Sequence, residues 1–316
     1  MNQEELRKEY LRLINLETIK DSFDLIDIYL NYFFLVIRKQ KRLTESVALS
    51  EAKIVNQMIF TKIAHMKEMA KGIEYLANDG ATLNKIIDPT LIASNTRNLY
   101  ETISMFNLIY IKPDSEDGKK ILYNLWVITG LKYRQRFENV ITKDENREKF
   151  EKEKEEIKAL INEIENTKLY SKLNPKEQKK IKQKIREKDY KIKIENNKVT
   201  PLSWQASSTE MGFKMDSLNN IYTYFSLYSH PSNVSVFQFA DMFNKGNESF
   251  INATNFNLNT FFIFLSVFVA DYIKLFPEVL EIYENLPQID QIIINSNNRL
   301  VRGSEYSINN EYKALG

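Results

Sequence analysis

The chain is expected to fold as an all-α multihelix bundle carrying a protruding, charged helical hairpin. Its 316 residues include only 8 Gly and 7 Pro, too few for the many tight turns of an all-β architecture. Apolar residues recur at three- and four-residue steps over most of the chain, which is the period of an amphipathic helix. From Lys143 to Lys198 the composition shifts abruptly, with 18 Lys/Arg against 13 Asp/Glu and little bulky apolar content. These observations divide the chain into an N-terminal helical part (1–142), a charged hairpin insertion (143–200), helices completing the same bundle (201–286) and a polar tail (287–316).

In chain order, helical periodicity runs through Leu6–Ile19, Phe23–Ile37 and Val47–Leu76. Asp21-Ser22 and Ser50-Glu51 offer cap or first-turn chemistry, and 43–78 reads as one continuous helix ended by Asn78-Asp-Gly-Ala81. Asp88-Pro89 opens a helix to about Tyr110, because proline suits a first turn. A turn at Pro113–Gly118 precedes a helix over Lys119–Ile141. Phe150, Ile157 and Ile164 form a seven-residue stripe, and Ile181 and Ile185 mark a second charged helix beyond Asn174-Pro175. After Pro201, Ser207 or Ser208 is expected to cap a short helix ended by Gly212. Asp216-Ser217 then precedes a helix over Leu218–Ser229. A short helix over Val234–Phe243, a loop at 244–249 and a Pro277-opened helix to Asn285 follow, and the weakly periodic tail after Leu286 is expected to be partly disordered.

Phe256–Phe276 is apolar enough to invite a membrane reading. Its central run, Phe261–Ala270, is ten residues, whereas a span needs ~20. Asn257, Asn259, Asp271 and Lys274 crowd it, so a buried core helix is expected and no membrane span. The chain has no cysteine, which excludes disulfides, thiolate nucleophiles and cysteine-ligated zinc. Its start lacks the basic and apolar regions of a signal peptide, and a cytoplasmic location is the expectation. Net charge is +2, so no global charge signal points to nucleic acid or anionic membrane.

Several chemistries lack their motifs. No glycine-rich phosphate loop and no Gly-x-Ser-x-Gly elbow occurs. A di-iron bundle needs Glu three residues before His, but Lys62 and Leu227 stand there before His65 and His230, the only two histidines. No cofactor and no metal is expected. His65 has Glu68 nearby and no second ligand, and is read as an exposed or capping residue.

His230 is the best candidate for chemistry, since histidine titrates nearest neutral pH. Arg97 and Glu101 lie four apart on one face of an apolar helix, and Ser226 lies four before His230 on another. A cluster of Arg97, Glu101, Ser226 and His230 would satisfy these groups mutually. Two readings stay open. In the first, the network fixes helix register. In the second, His230 is general acid/base, Arg97 stabilises a pentavalent phosphorane and Glu101 orients either, as metal-independent RNA cleavage requires. Separately, Lys172–Lys193 holds ten basic and three acidic residues. Lys179, Lys180, Lys182, Lys184 and Arg186 could track a phosphate backbone or form a solvated helix face.

With these residues in view, the chain resembles a family of uncharacterised, all-helical bacterial proteins. The shared pattern is an Arg…Glu helix (Arg97, Glu101), then Trp204, Ser207 or Ser208 and Gly212, then Tyr222 or Tyr224, Ser226, His230, Pro231 and Ser232. The likeness covers roughly 85–240, with 143–198 as a variable hairpin. It implies a helical fold, and some helical proteins of this sort are linked with phage defence and abortive infection and are compared with HEPN ribonucleases. The HEPN signature, Arg followed by four to six residues and His, is not met, because positions 224–226 are Tyr, Phe and Ser. Arginine would have to come from Arg97. The expected function is therefore a cytosolic bacterial defence or stress protein that acts on RNA or regulates a partner that does. The alternative is a non-catalytic interaction module whose hairpin docks a protein or nucleic-acid partner. Homo-oligomerisation is left open.

Overall fold

A computed structural model of the chain describes residues 1–40, 46–214, 218, 220–245 and 247–316. Asp216-Ser217, residues 43–45 and Gly246 of the expected 244–249 loop lie outside the described residues. The chain is all-α, a multihelix bundle with two short β-hairpins among the described residues, and it divides into two compact units, 1–106 with 211–316 and 107–210. The second unit is wider than the expected 143–200 insertion.

The first unit contains α1 (Gln3–Asn15), α2 (Ile19–Lys39), α3 (Val47–Ala70), a hairpin of β1 (Ile73–Leu76) and β2 (Thr82–Ile86), and α4 (Pro89–Phe106). Thr18 rather than Asp21-Ser22 caps α2, with Asp21 completing a capping box, and Ser46 rather than Ser50 caps α3. The expected continuous helix to 78 instead stops at Ala70. Gly72 follows with φ +75°, where an added Cβ would meet the Ile86 carbonyl oxygen at 2.8 Å. Asn78-Asp-Gly-Ala81 is the tip of the hairpin rather than a simple helix break.

The second unit holds a π-helical turn (Asn107–Ile111), α5 (Glu116–Arg134), a 3₁₀ segment (Gln135–Val140), α6 (Asp144–Glu165), α7 (Lys168–Lys172), α8 (Pro175–Glu187), β3 (Ile192–Glu195), β4 (Lys198–Pro201) and α9 (Trp204–Glu210). Asn174 caps α8 with Pro175 in its first turn, as the dipeptide suggested. The charged segment is not a bare hairpin. Its stripe of Ile164, Ile181 and Ile185 joins Ile121, Leu125 and Ile128 of α5 in a shared core. Ser203 caps α9, while Ser207 and Ser208 sit inside it.

The chain then returns to the first unit with α10 (Ile221–Ser229), α11 (Asn233–Lys245), α12 (Asn247–Leu275), a 3₁₀ turn (Pro277–Val279), α13 (Leu280–Glu284) and α14 (Gln288–Arg302). By length and composition α12 could cross a membrane, yet 67% of its most apolar window is buried inside the protein. It packs against α2, α4 and α14. Phe262 stacks on Tyr29 at 5.7 Å, Phe268 meets Phe106 at 4.8 Å, and Phe264 meets Tyr100 at 5.3 Å.

The segment after Leu286 corrects the expectation of a polar, partly disordered tail. It forms α14, whose Ile292, Ile293, Ile294 and Val301 are fully buried. Arg302, buried with them, donates to both carboxylate oxygens of Asp271 at 2.8 and 3.1 Å and to the Met211 carbonyl at 2.6 Å. Its guanidinium also lies 4.4 Å from the Tyr306 ring centre. Gly212, at φ +87°, accommodates that ring, since a Cβ there would stand 2.5 Å from the Tyr306 hydroxyl.

Candidate functional site

The α10–α11 corner explains how His230 is presented. A residue before proline is driven out of helical geometry, and His230 is the extended C-cap of α10 (φ −109°, ψ 144°). Its N–H still closes the helix on the Ser226 carbonyl at 3.2 Å. Ser232 then accepts from the Ser235 N–H at 3.1 Å, opening α11. Pro231 and Ser232 are thus accounted for by the turn. The His230 side chain is not, because it leaves the corner and meets another helix.

That helix is α4. Ile221 and Phe225 bury the inner face of α10, while Tyr222 packs on Tyr100 at 5.7 Å. Across this contact Arg97 reaches three partners. Its Nε donates to Glu101 Oε1 at 3.0 Å, one terminal nitrogen lies 2.9 Å from His230 Nε2, and the other donates to the Tyr222 hydroxyl at 2.7 Å. The Tyr222 hydroxyl donates in turn to Glu101 Oε1 at 3.3 Å. A guanidinium can only donate, so His230 Nε2 accepts in this arrangement and the imidazole proton sits on Nδ1. Burial first, and then the Glu101 carboxylate, push the Tyr222 phenol above its ordinary range and keep it a donor.

Arg97 and Glu101 side chains are 19% and 29% exposed, and His230 is exposed. The cluster is therefore rooted in the helix packing and open at one edge. Only three of the five guanidinium N–H donors are used by these contacts. An anion at that edge would find donors from Arg97 beside the His230 imidazole.

Three of the four residues expected to cluster do so. Ser226 does not, because its hydroxyl donates to the Tyr222 carbonyl of its own helix at 2.7 Å. Tyr222 takes the fourth place. Tyr224 instead packs on Tyr228 and Phe256. His65 is exposed on α3, and among the described residues no group of three His, Asp or Glu is placed to hold a metal ion.

The basic stretch is largely spoken for. Lys180 donates to Glu177 and to the Val199 carbonyl at 2.7 Å, Lys182 pairs with Glu165 at 2.9 Å, and the buried Lys184 pairs with Asp189 at 2.5 Å. Lys179 and Arg186 are exposed.

The profile of a family of unknown function (DUF5677) matches residues 63–248, more than half of the chain. The chain belongs to this family. The DUF5677 match contains Arg97, Glu101, Tyr222 and His230 together with the whole second unit. The α14 helix, with Arg302, lies beyond it. No curated protein and no solved structure matches the chain.

Proposed function

We propose that the chain acts on RNA through the Arg97–Glu101–Tyr222–His230 cluster, as part of a bacterial defence or stress response. The observation that supports this reading is the 2.9 Å approach of Arg97 to His230 Nε2 at an exposed edge. A carboxylate or a carbonyl beside His230 would have satisfied the imidazole from within the fold. Here it faces a cation, an arrangement that a phosphate diester oxygen would complete from outside.

In the reaction, the Arg97 terminal nitrogen turns from His230 to the phosphate, and the freed His230 Nε2 takes the proton of a ribose 2′-hydroxyl as that oxygen attacks phosphorus. The new 2′-O–P bond forms as the P–5′-O bond breaks. The leaving oxygen takes a proton from water, and His230 returns its proton to solvent. Arg97 stabilises charge on the phosphorane, while Glu101 and Tyr222 hold the guanidinium in place. The products are a 2′,3′-cyclic phosphate and a 5′-hydroxyl.

A second reading is favoured by α11, where Val234, Val236, Phe237 and Phe243 are exposed. It makes the chain a non-catalytic interaction module in which the cluster only fixes the register of α4 and α10. Purified protein incubated with end-labelled single-stranded RNA in EDTA separates the two. Catalysis yields cyclic-phosphate ends and stops at a site carrying a single 2′-deoxy substitution. Intact RNA at every protein concentration overturns it.

A further inference from the structure

A cavity of the first unit lies apart from the Arg97 cluster. It measures about 150 Å³, and its apolar lining comprises Ile19, Phe23, Ala70, Ile87, Phe250 and Ile251. The remaining lining side chains are Lys71 and Lys85, both exposed. Among the described residues no carboxylate lines it.

The wall is built by a specific backbone feature. Gly72 turns the chain at φ +75° after α3, and a Cβ there would meet the Ile86 carbonyl oxygen at 2.8 Å and Ile87 Cγ1 at 3.1 Å. Only glycine lets the end of α3, with Ala70 and Lys71, lie this close to the strand end that supplies Ile87. The opposite side comes from α2 and the start of α12.

Size and charge together define an occupant. The slot opens to solvent on the lysine side, and its volume matches that of an apolar cavity that accommodates one benzene ring. Lys71 is held by Glu68 at 2.5 Å, whereas Lys85 makes no ion pair among the described residues. A ring seated among Phe23, Ile87 and Phe250 would carry its substituent to the mouth, where Lys85 supplies an uncompensated positive charge. We infer that this cavity is a binding site for a small aromatic carboxylate, with the ring in the Ile/Phe slot and the carboxylate at Lys85.

The probe is benzoate, compared with neutral benzyl alcohol, read by methyl NMR of the isoleucines in the full chain. Benzoate is expected to shift the methyls of Ile19, Ile87 and Ile251 saturably. Lys85→Gln, at an exposed site, should weaken benzoate roughly fivefold, the scale of one solvent-screened ion pair, and leave benzyl alcohol unchanged. Ile251→Trp, which fills the slot, should abolish both. Absence of saturable shifts in the wild-type protein overturns the site. Equal affinity for benzoate and benzyl alcohol, or benzoate binding unchanged by Lys85→Gln, overturns the assignment of the carboxylate. Should Ile251→Trp fail to fold, the Lys85→Gln and benzyl alcohol comparisons decide the outcome alone.

Discussion

Tyr222 supports Arg97 from two directions, accepting from its terminal nitrogen and lying with its ring 4.9 Å from the guanidinium carbon. Tyr222→Phe keeps the ring and removes the hydroxyl that links Arg97 to Glu101. A hydrogen bond to a charged group contributes about 1.5–3 kcal/mol, and partial exposure of the cluster places the expected loss near the lower figure. Urea unfolding of the variant checks it. At the start of α14, burial pushes the Asp290 carboxyl up to about 6. Between the ordinary aspartate value and pH 6 the folded chain binds more protons than the unfolded one, so this residue makes stability fall as pH rises through that window. Asp290→Asn should therefore leave the thermal midpoint little changed near pH 4 and raise it above pH 6. A midpoint difference that does not grow with pH would contradict the assignment.

Individual elements show where sequence reasoning reached and where it stopped. The α12 core helix was legible from the polar Asn257 and Asp271 within it, although its full length and composition alone would also allow a span. The Asn174-Pro175 helix start was legible from its own chemistry. The β3–β4 hairpin was missed, although its signal was present. Asn196 and Asn197 both take left-handed φ (51° and 58°), the turn that Asn favours, between strands alternating as Ile-Lys-Ile-Glu and Lys-Val-Thr-Pro. The ordering of α14 was obscured because its buried side includes Asn295, Asn297, Asn298 and Arg302, which read as surface. Their burial is compensated by partners distant in sequence, including Tyr29 for Asn297 and Asp271 for Arg302. Removing one member of a buried pair leaves the other charge uncompensated, at a cost of about 3–5 kcal/mol. Asp271→Ala is expected to lose that much. Asp271→Leu with Arg302→Met should lose clearly less than the sum of the single changes. Additive losses in a double-mutant cycle would show that the two side chains act independently.

For the molecule as a whole, helical class followed from periodicity and the Arg97–Glu101 pair from four-residue spacing, while the approach of His230 to Arg97 was expected only from the need of buried charges for partners. The division into units did not follow, because the sequence break at Lys143 reflects surface charge, whereas the core of the second unit begins earlier, with α5. Deleting Lys143–Lys198 would strip Ile164, Tyr170, Leu173, Ile181, Ile185 and Ile192 from that core and bare Ile121, Leu125 and Ile128. The expected result is strong binding of an apolar fluorescent dye, so such a deletion would not isolate a docking function. The most direct test of the proposed function is His230→Ala, with RNA cleavage rate and thermal midpoint measured on the same preparation. Removal of a general acid/base should lower the rate by about 10²–10⁴-fold. Because His230 is exposed, the midpoint should move little. An unchanged cleavage rate, or a collapse of the midpoint that accounts for the lost activity, would contradict a catalytic His230.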